Sequence, residues 1–160
     1  MAIRVGDKIP SVTLSHKTAD GIQKVTTDDL FKGKTVVLFG LPGAFTPTCS
    51  AKHLPGFVQN AKSLKGKGVD TIACLSVNDA FVMDAWGKDQ KVGDQVLMLA
   101  DGNGEFTAQV GLEMDGSGFG LGTRSQRYAA ILENGVVTEL MVESAPGLDV
   151  SSADSVLAKL

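Results

Sequence analysis

Alternating strand and helix signals along 160 residues predict an α/β protein, a mixed central sheet covered by helices on both faces. Three observations carry that expectation. Continuous apolar runs at 34–41, 69–77 and 95–100 lack the polar alternation of a half-exposed strand and suit strands buried on both sides. Between the first two, Ala51, Leu54, Phe57, Val58, Ala61 and Leu64 form a stripe of helical period. Near the end, Asn134-Gly135 joins two apolar runs with the turn chemistry of a tight hairpin.

The elements follow in order. Residues 11–15 and 23–26 read as a small strand pair around Asp20-Gly21. Residues 27–31 form a brief helix capped by Thr27 or Asp28, and 34–41 the first core strand. From Thr46 the pattern is helical. Pro47 is tolerated in the first turn, where its missing N–H would have no partner, Pro55 kinks the helix without ending it, and Gly66 and Gly68 close it. The second core strand at 69–77 leads to a helix capped by Asn78 or Asp79 and running to about Gln90, with Phe81 and Trp86 at core-like spacing. The third, at 95–100, precedes the turn Asp101-Gly102-Asn103-Gly104 and a helix to about Val110. Residues 114–122, with Gly116, Gly118, Gly120 and Gly122, read as a mobile loop. The hairpin 128–133/136–142 and a helix over 151–160 capped by Ser151 or Ser152 complete a single expected domain, 1–160.

Composition narrows the function classes. Fifteen Lys and Arg against 18 Asp and Glu give a net charge of −3, which argues against nucleic acid or an anionic membrane as main partner. No apolar stretch approaches the roughly 18 residues of a membrane span, and the N-terminus has neither a signal core nor transit-peptide character. Two cysteines do not make a secreted disulfide framework; they fit a reducing compartment, and a cytoplasmic protein is expected. Cys49 and His53 share a helical spacing, but Cys74 and His16 lie in unrelated segments, so no metal site or cofactor is expected. Asp101–Glu105 fails as a calcium loop because Phe106 and Leu112 occupy ligand-loop positions that require Gly and Glu.

The chemistry concentrates at Pro42-Gly43-Ala44-Phe45-Thr46-Pro47-Thr48-Cys49. Cys49 falls in the first turn of a helix after a buried strand, where free backbone N–H groups favour an anion. A thiolate is the nucleophile: at pH 7 a thiol of pKa ~8.5 is about 3% ionised and one of pKa ~6 about 90%, a gain of roughly thirtyfold. That is only ~2 kcal/mol, so a fast enzyme must also stabilise charge on the departing atom. The Thr46 hydroxyl, three residues earlier, can donate to one substrate oxygen and accept from another. Pro42 and Pro47 stiffen the loop around the sulfur.

These residues resemble the peroxiredoxins, whose signature is Pro-x-x-x-Thr-x-x-Cys, and more narrowly the type II group of plants, bacteria and animals. Ser50, His53-Leu54-Pro55-Gly56-Phe57, Ser76-Val77-Asn78-Asp79 with Phe81-Val82-Met83, and Gly120-Leu121-Gly122-Thr123-Arg124-Ser125 with Arg127-Tyr128 extend the likeness from about Ile3 to Leu160. The resemblance implies a thioredoxin-like fold with an added N-terminal β-hairpin. It implies reduction of hydrogen peroxide and organic hydroperoxides through a sulfenic acid on Cys49, with Thr46 binding the peroxide and Pro42 shielding the site. Arg127 would hold the thiolate ionised and clamp the peroxide oxygens, with Arg124 as a supporting or surface group. His53 is expected to pack or support and not to act as a base. Glutaredoxin with glutathione, or thioredoxin, is the implied reductant.

Cys74 matches a second cysteine of plant-like members, which can form a disulfide with the first. Its own surroundings read equally well as a buried small core residue in mid-strand. A homodimer packed around the active loop, near Phe45, is implied by the same resemblance. The rival functions are a peroxide-sensing regulator that relays oxidation to a partner protein, and a thioredoxin-type reductase, weakened because Thr46 stands where a second thiol would be needed.

Overall fold

Val36, Val37, Leu38 and Phe39 are all buried, and because side chains alternate across a strand they must feed two separate apolar layers. They do. Val37 and Phe39 pack with Cys49, Leu54, Phe57, Cys74 and Trp86 on one face, while Val36 and Leu38 pack with Leu14, Phe31, Leu99, Phe106 and Tyr128 on the other. The computed structural model describes residues 2–160; Met1 lies outside them.

The strand and helix order is β1 (Thr13–Thr18), β2 (Gly21–Thr26), α1 (Thr27–Phe31) and β3 (Thr35–Gly40). A π-helical turn (Cys49–His53) then leads into α2 (Leu54–Gln59), α3 (Ala61–Gly66), β4 (Thr71–Ser76), α4 (Ala80–Asp89), β5 (Leu97–Ala100) and α5 (Glu105–Val110). The remainder is β6 (Glu113–Asp115), a 3-10 turn (Ser117–Phe119), β7 (Thr123–Ser125), β8 (Tyr128–Glu133), β9 (Val136–Val142) and α6 (Ala153–Leu157). The main sheet runs β2-β1-β5-β4-β3-β8-β9. β3, β4 and β5 are parallel, and antiparallel pairs flank them on both sides, the mixed sheet that the sequence predicts. Asn134 and Gly135 take φ of 51° and 78°, as their hairpin turn requires. No helix among the described residues is long and apolar enough to cross a membrane.

Four expectations are corrected. Thr26, not Thr27 or Asp28, caps α1 by accepting from the Asp29 N–H, while the Thr27 hydroxyl turns inward to the Pro10 carbonyl at 2.7 Å. The helix after Thr46 is not one kinked rod. Pro55 has no N–H for the Ala51 carbonyl, and Leu54 bonds back five residues to Cys49, which makes the π turn. The actual break is at Asn60, whose side-chain amide and backbone N–H both donate to the Gly56 carbonyl. The glycine-rich segment 114–122 is not a free loop: it carries a 3-10 turn and joins two short antiparallel strands, β6 and β7, which the glycine spacing hides. Finally, Phe81 is 65% exposed: Met83 and Trp86, three apart, share the buried face of α4, and Phe81 points elsewhere.

Candidate active site

β3 ends at Gly40, and the chain leaves the sheet there. The register pairs Gly40 with Tyr128, so the residue before β8, Arg127, arrives beside the departing loop. Gly40 is required at this crossing because a Cβ would collide with the Tyr128 ring. The loop is held at three points. Asn78 accepts the Ala44 N–H at 3.0 Å and is itself met by the Ser76 hydroxyl at 2.7 Å. Thr46 donates its hydroxyl to the Gly43 carbonyl at 2.7 Å. Arg124 donates from Nη1 to the Pro42 carbonyl at 3.1 Å and from Nε to the Leu121 carbonyl at 3.0 Å. Between these ties Phe45 sits at a left-handed φ of 63° and is 53% exposed.

Cys49 opens the π turn and is completely buried. Its sulfur receives Arg127 Nη2 at 3.3 Å, so a fixed cation meets the thiol in a site shielded from water, where charge interactions are strong. The other terminal nitrogen, Nη1, lies 3.0 Å from His53 Nδ1, and His53 Nε2 lies 3.0 Å from the Ser151 carbonyl. These partners decide the tautomer. A carbonyl only accepts and a guanidinium only donates, so the His53 proton is on Nε2 and Nδ1 is bare. Burial, then the neighbouring Arg127 charge, hold the His53 pKa down to about 3. The ring is neutral and lies tilted against Phe39 and Phe57, which stack on each other, with its centroid 5.0 and 5.6 Å from theirs.

The expected site residues therefore separate. Cys49 and Arg127 meet directly, and His53 supports Arg127 from behind, consistent with packing and not proton shuttling. Arg124 holds the loop and does not touch the sulfur. Thr46 has its hydroxyl proton committed to Gly43, which leaves its oxygen free to accept. Cys74 faces the same core as Cys49 from the middle of β4, between Phe39 and Met98 in register. Burial first, and then Cys49, raise its pKa well above that of an ordinary thiol. Sequence reasoning missed the Arg124 and Asn78 ties to the loop. Asn78 stood inside a recognised run but read only as a helix cap.

Residues 4–157 match the Redoxin family. Peroxiredoxin-2B of Arabidopsis thaliana is 51% identical over 159 residues, 99% of this chain and 98% of that protein. The chain belongs to the type II peroxiredoxins. As a peroxiredoxin it is a thiol-dependent peroxidase, an oxidoreductase that reduces peroxide and is returned to the thiol by a thiol reductant. A chloroplastic relative of the same plant, Peroxiredoxin-2E, is 51% identical over 164 residues, 99% of this chain and 70% of that protein. The structure of reduced Prx3 from Vibrio vulnificus in complex with h2o2 superposes on this peroxiredoxin with a TM-score of 0.95 at 55% identity, covering 98% of each chain. The fold is thioredoxin-like, with β1 and β2 as the added N-terminal pair.

Proposed function

We propose that Cys49 is the nucleophile of this peroxidase, with Arg127 and Thr46 binding the peroxide and Pro42 shielding the sulfur. The Cys49 thiolate attacks one peroxide oxygen. An S–O bond forms as the O–O bond breaks, the sulfur is oxidised to sulfenic acid, and the second oxygen leaves with the electron pair and is protonated to water or an alcohol. Arg127 offers planar donors to the departing oxygen, and the Thr46 oxygen accepts the hydroxyl of the incoming one. The observation that carries this reading is the 3.3 Å contact of Arg127 Nη2 with a fully buried Cys49 sulfur.

Hydrogen peroxide and small alkyl hydroperoxides fit a nucleophile enclosed this closely. The sulfenic acid is reduced by an external thiol, which displaces its oxygen as water to give a mixed disulfide that a second thiol then opens. Glutathione with glutaredoxin, or thioredoxin, supplies those thiols. Cys74 stays a core residue, since its thiol is buried between two neighbouring strands and held protonated. The protein works in the cytoplasm as a homodimer, and the exposed Phe45 and Phe81 rings are the apolar surface for a second copy.

Stopped-flow oxidation by hydrogen peroxide tests the assignment. Cys49→Ser is expected to abolish turnover, and Arg127→Gln to slow oxidation on the order of a hundredfold. Peroxidase turnover surviving in Cys49→Ser would end it.

A further inference from the structure

One carboxylate outside the peroxide site is tied to it by an unbroken set of hydrogen bonds. Glu143 follows β9, and its backbone N–H donates to the carbonyl of Arg127 at 3.0 Å. Its side chain turns the other way. A single oxygen, Oε2, accepts from the Asp149 N–H at 2.9 Å, the Ser151 N–H at 2.8 Å and the Ser151 hydroxyl at 2.6 Å. These bonds fold residues 149–151 into a fixed turn just before α6, with Ser151 completely buried. The Ser151 carbonyl is thereby aimed at His53 Nε2, and His53 Nδ1 at Arg127 Nη1. The ring closes on itself: Glu143 holds the Arg127 backbone directly and the Arg127 guanidinium through Ser151 and His53.

We infer that Glu143 is a positioning residue for the peroxide site, acting through Ser151 and His53 to hold the Arg127 guanidinium against Cys49. The physical reason is the Ser151 carbonyl. A neutral imidazole can carry its proton on either nitrogen, and only an acceptor fixed at Nε2 keeps Nδ1 bare for Arg127. Without the Glu143 clamp the turn loses three hydrogen bonds, the carbonyl is free to move, and His53 can place its proton on Nδ1. That proton would point at a guanidinium with no lone pair to offer, and the fork would swing away from the sulfur. Displacements of about 1 Å in such groups cost on the order of a hundredfold in rate. Glu143 is suited to the task because burial, which pushes its pKa up, is outweighed by the bonds from Ser151 and Asp149, and its carboxyl stays below the usual range.

The inference rests on the reading of Arg127 as a peroxide-binding residue, and the experiment separates the two. Stopped-flow oxidation by hydrogen peroxide is measured on full-length wild type, Glu143→Ala, Glu143→Gln, His53→Leu, His53→Leu with Glu143→Ala, and Arg127→Gln. Ring ¹⁵N spectra report the His53 tautomer, with His16 as the second and independent signal. Glu143→Ala is expected to oxidise roughly tenfold more slowly and to mix the two tautomers. Glu143→Gln, whose amide oxygen can take the same three donors, is expected to recover most of the rate. In the His53→Leu background, Glu143→Ala should have no further effect on rate, because the route it acts through is already gone.

A wild-type rate with a single His53 tautomer in Glu143→Ala overturns the inference, as does a full second loss in the double variant. If Arg127→Gln itself oxidises at the wild-type rate, the reading of Arg127 fails, and the tautomer spectra still judge the clamp alone. Should Glu143→Ala not fold, Glu143→Asp keeps the charge but withdraws the carboxylate by one methylene. It is expected to be slow with mixed tautomers, and wild-type behaviour overturns the inference equally.

Discussion

Arg124 Nη1 reaches the carbonyl of Pro42 across the space that a Cβ on Gly43 would fill, 2.6 Å from that nitrogen. The short sheet of β6 and β7 thus grips the loop that carries Thr46, and the grip exists only while position 43 has no side chain.

Gly43→Ala is therefore expected to fold normally but to oxidise slowly. The displaced group is the free end of a flexible arginine, so the stability cost should stay near or below ~1 kcal/mol, in the range of ordinary loop substitutions. The loop loses its tie, and the methyl also presses the Thr46 Cγ2 at 3.2 Å. A loss of roughly tenfold in the peroxide rate is expected, and Arg124→Ala should match it. Urea titration and stopped-flow oxidation check the two halves. A Gly43→Ala protein that is badly destabilised, or as fast as wild type, contradicts the latch.

His53 should make the fold acid-sensitive in a defined window. Its folded pKa of about 3 lies below the ordinary 6.5, so between those values the unfolded chain binds a proton that the folded protein refuses. The stability it contributes is full above pH 6.5 and falls as the pH drops, by up to about 1.4 kcal/mol per unit, until about pH 3. Denaturant titrations at pH 7, 5.5 and 4.5 should show this slope in wild type and a shallower one in His53→Leu. Parallel slopes would remove His53 as the cause.

Cys74→Ala should keep peroxidase turnover with glutathione and glutaredoxin and cost on the order of 1 kcal/mol of stability for the lost core volume. In the folded wild type, a thiol reagent should leave Cys74 unmodified, since its thiol is buried in β4 and its pKa is raised. Turnover that vanishes with every thiol donor in Cys74→Ala would instead make Cys74 part of the cycle.

Trp86 should report the state of Cys49. It is the one tryptophan of the chain, fully buried, and its indole N–H donates to the Ser50 hydroxyl at 3.0 Å, next door to the sulfur. A fluorescence change in step with one equivalent of peroxide is expected, absent in Cys49→Ser. Ser50→Ala should strand the indole N–H at a cost of ~1–3 kcal/mol and shift the resting emission.

The parts of the fold that depend on periodicity were legible in advance. The apolar runs at β3, β4 and β5 placed the buried strands, and Asn134-Gly135 placed the last hairpin, because each signal is local. The proposed nucleophile rests on a local signal as well: Pro42, Thr46 and Cys49 lie within one turn and its approach. Arg127 was assigned by resemblance, and only the pairing of Gly40 with Tyr128 explains physically why it arrives at Cys49. The contacts that no local signal announces are those made across the chain. Arg124 reaching Pro42 depends on the fold of a segment that its glycines made look structureless. Ser151 reaching His53 depends on a turn held by Glu143, and nothing in the spacing of those residues suggests it. Phe81 departs from its apolar spacing because it does not share the helical face on which Met83 and Trp86 are buried.

The π turn that begins at Cys49 has a meaning in terms of chain length. A bond from Leu54 back to Cys49 encloses one residue more than an α-helical bond would, so the turn is equivalent to a single-residue insertion in an ordinary helix. Removing one exposed residue, Ala51 or Lys52, would let the segment close as regular α-helix behind the anchored Leu54 and Phe57. Every residue ahead of the deletion would then rotate by about 100°, and the sulfur would leave the guanidinium with no change of amino acid at either end. A substitution of Ala51 or Lys52 therefore leaves this geometry in place, whereas the loss of either residue does not.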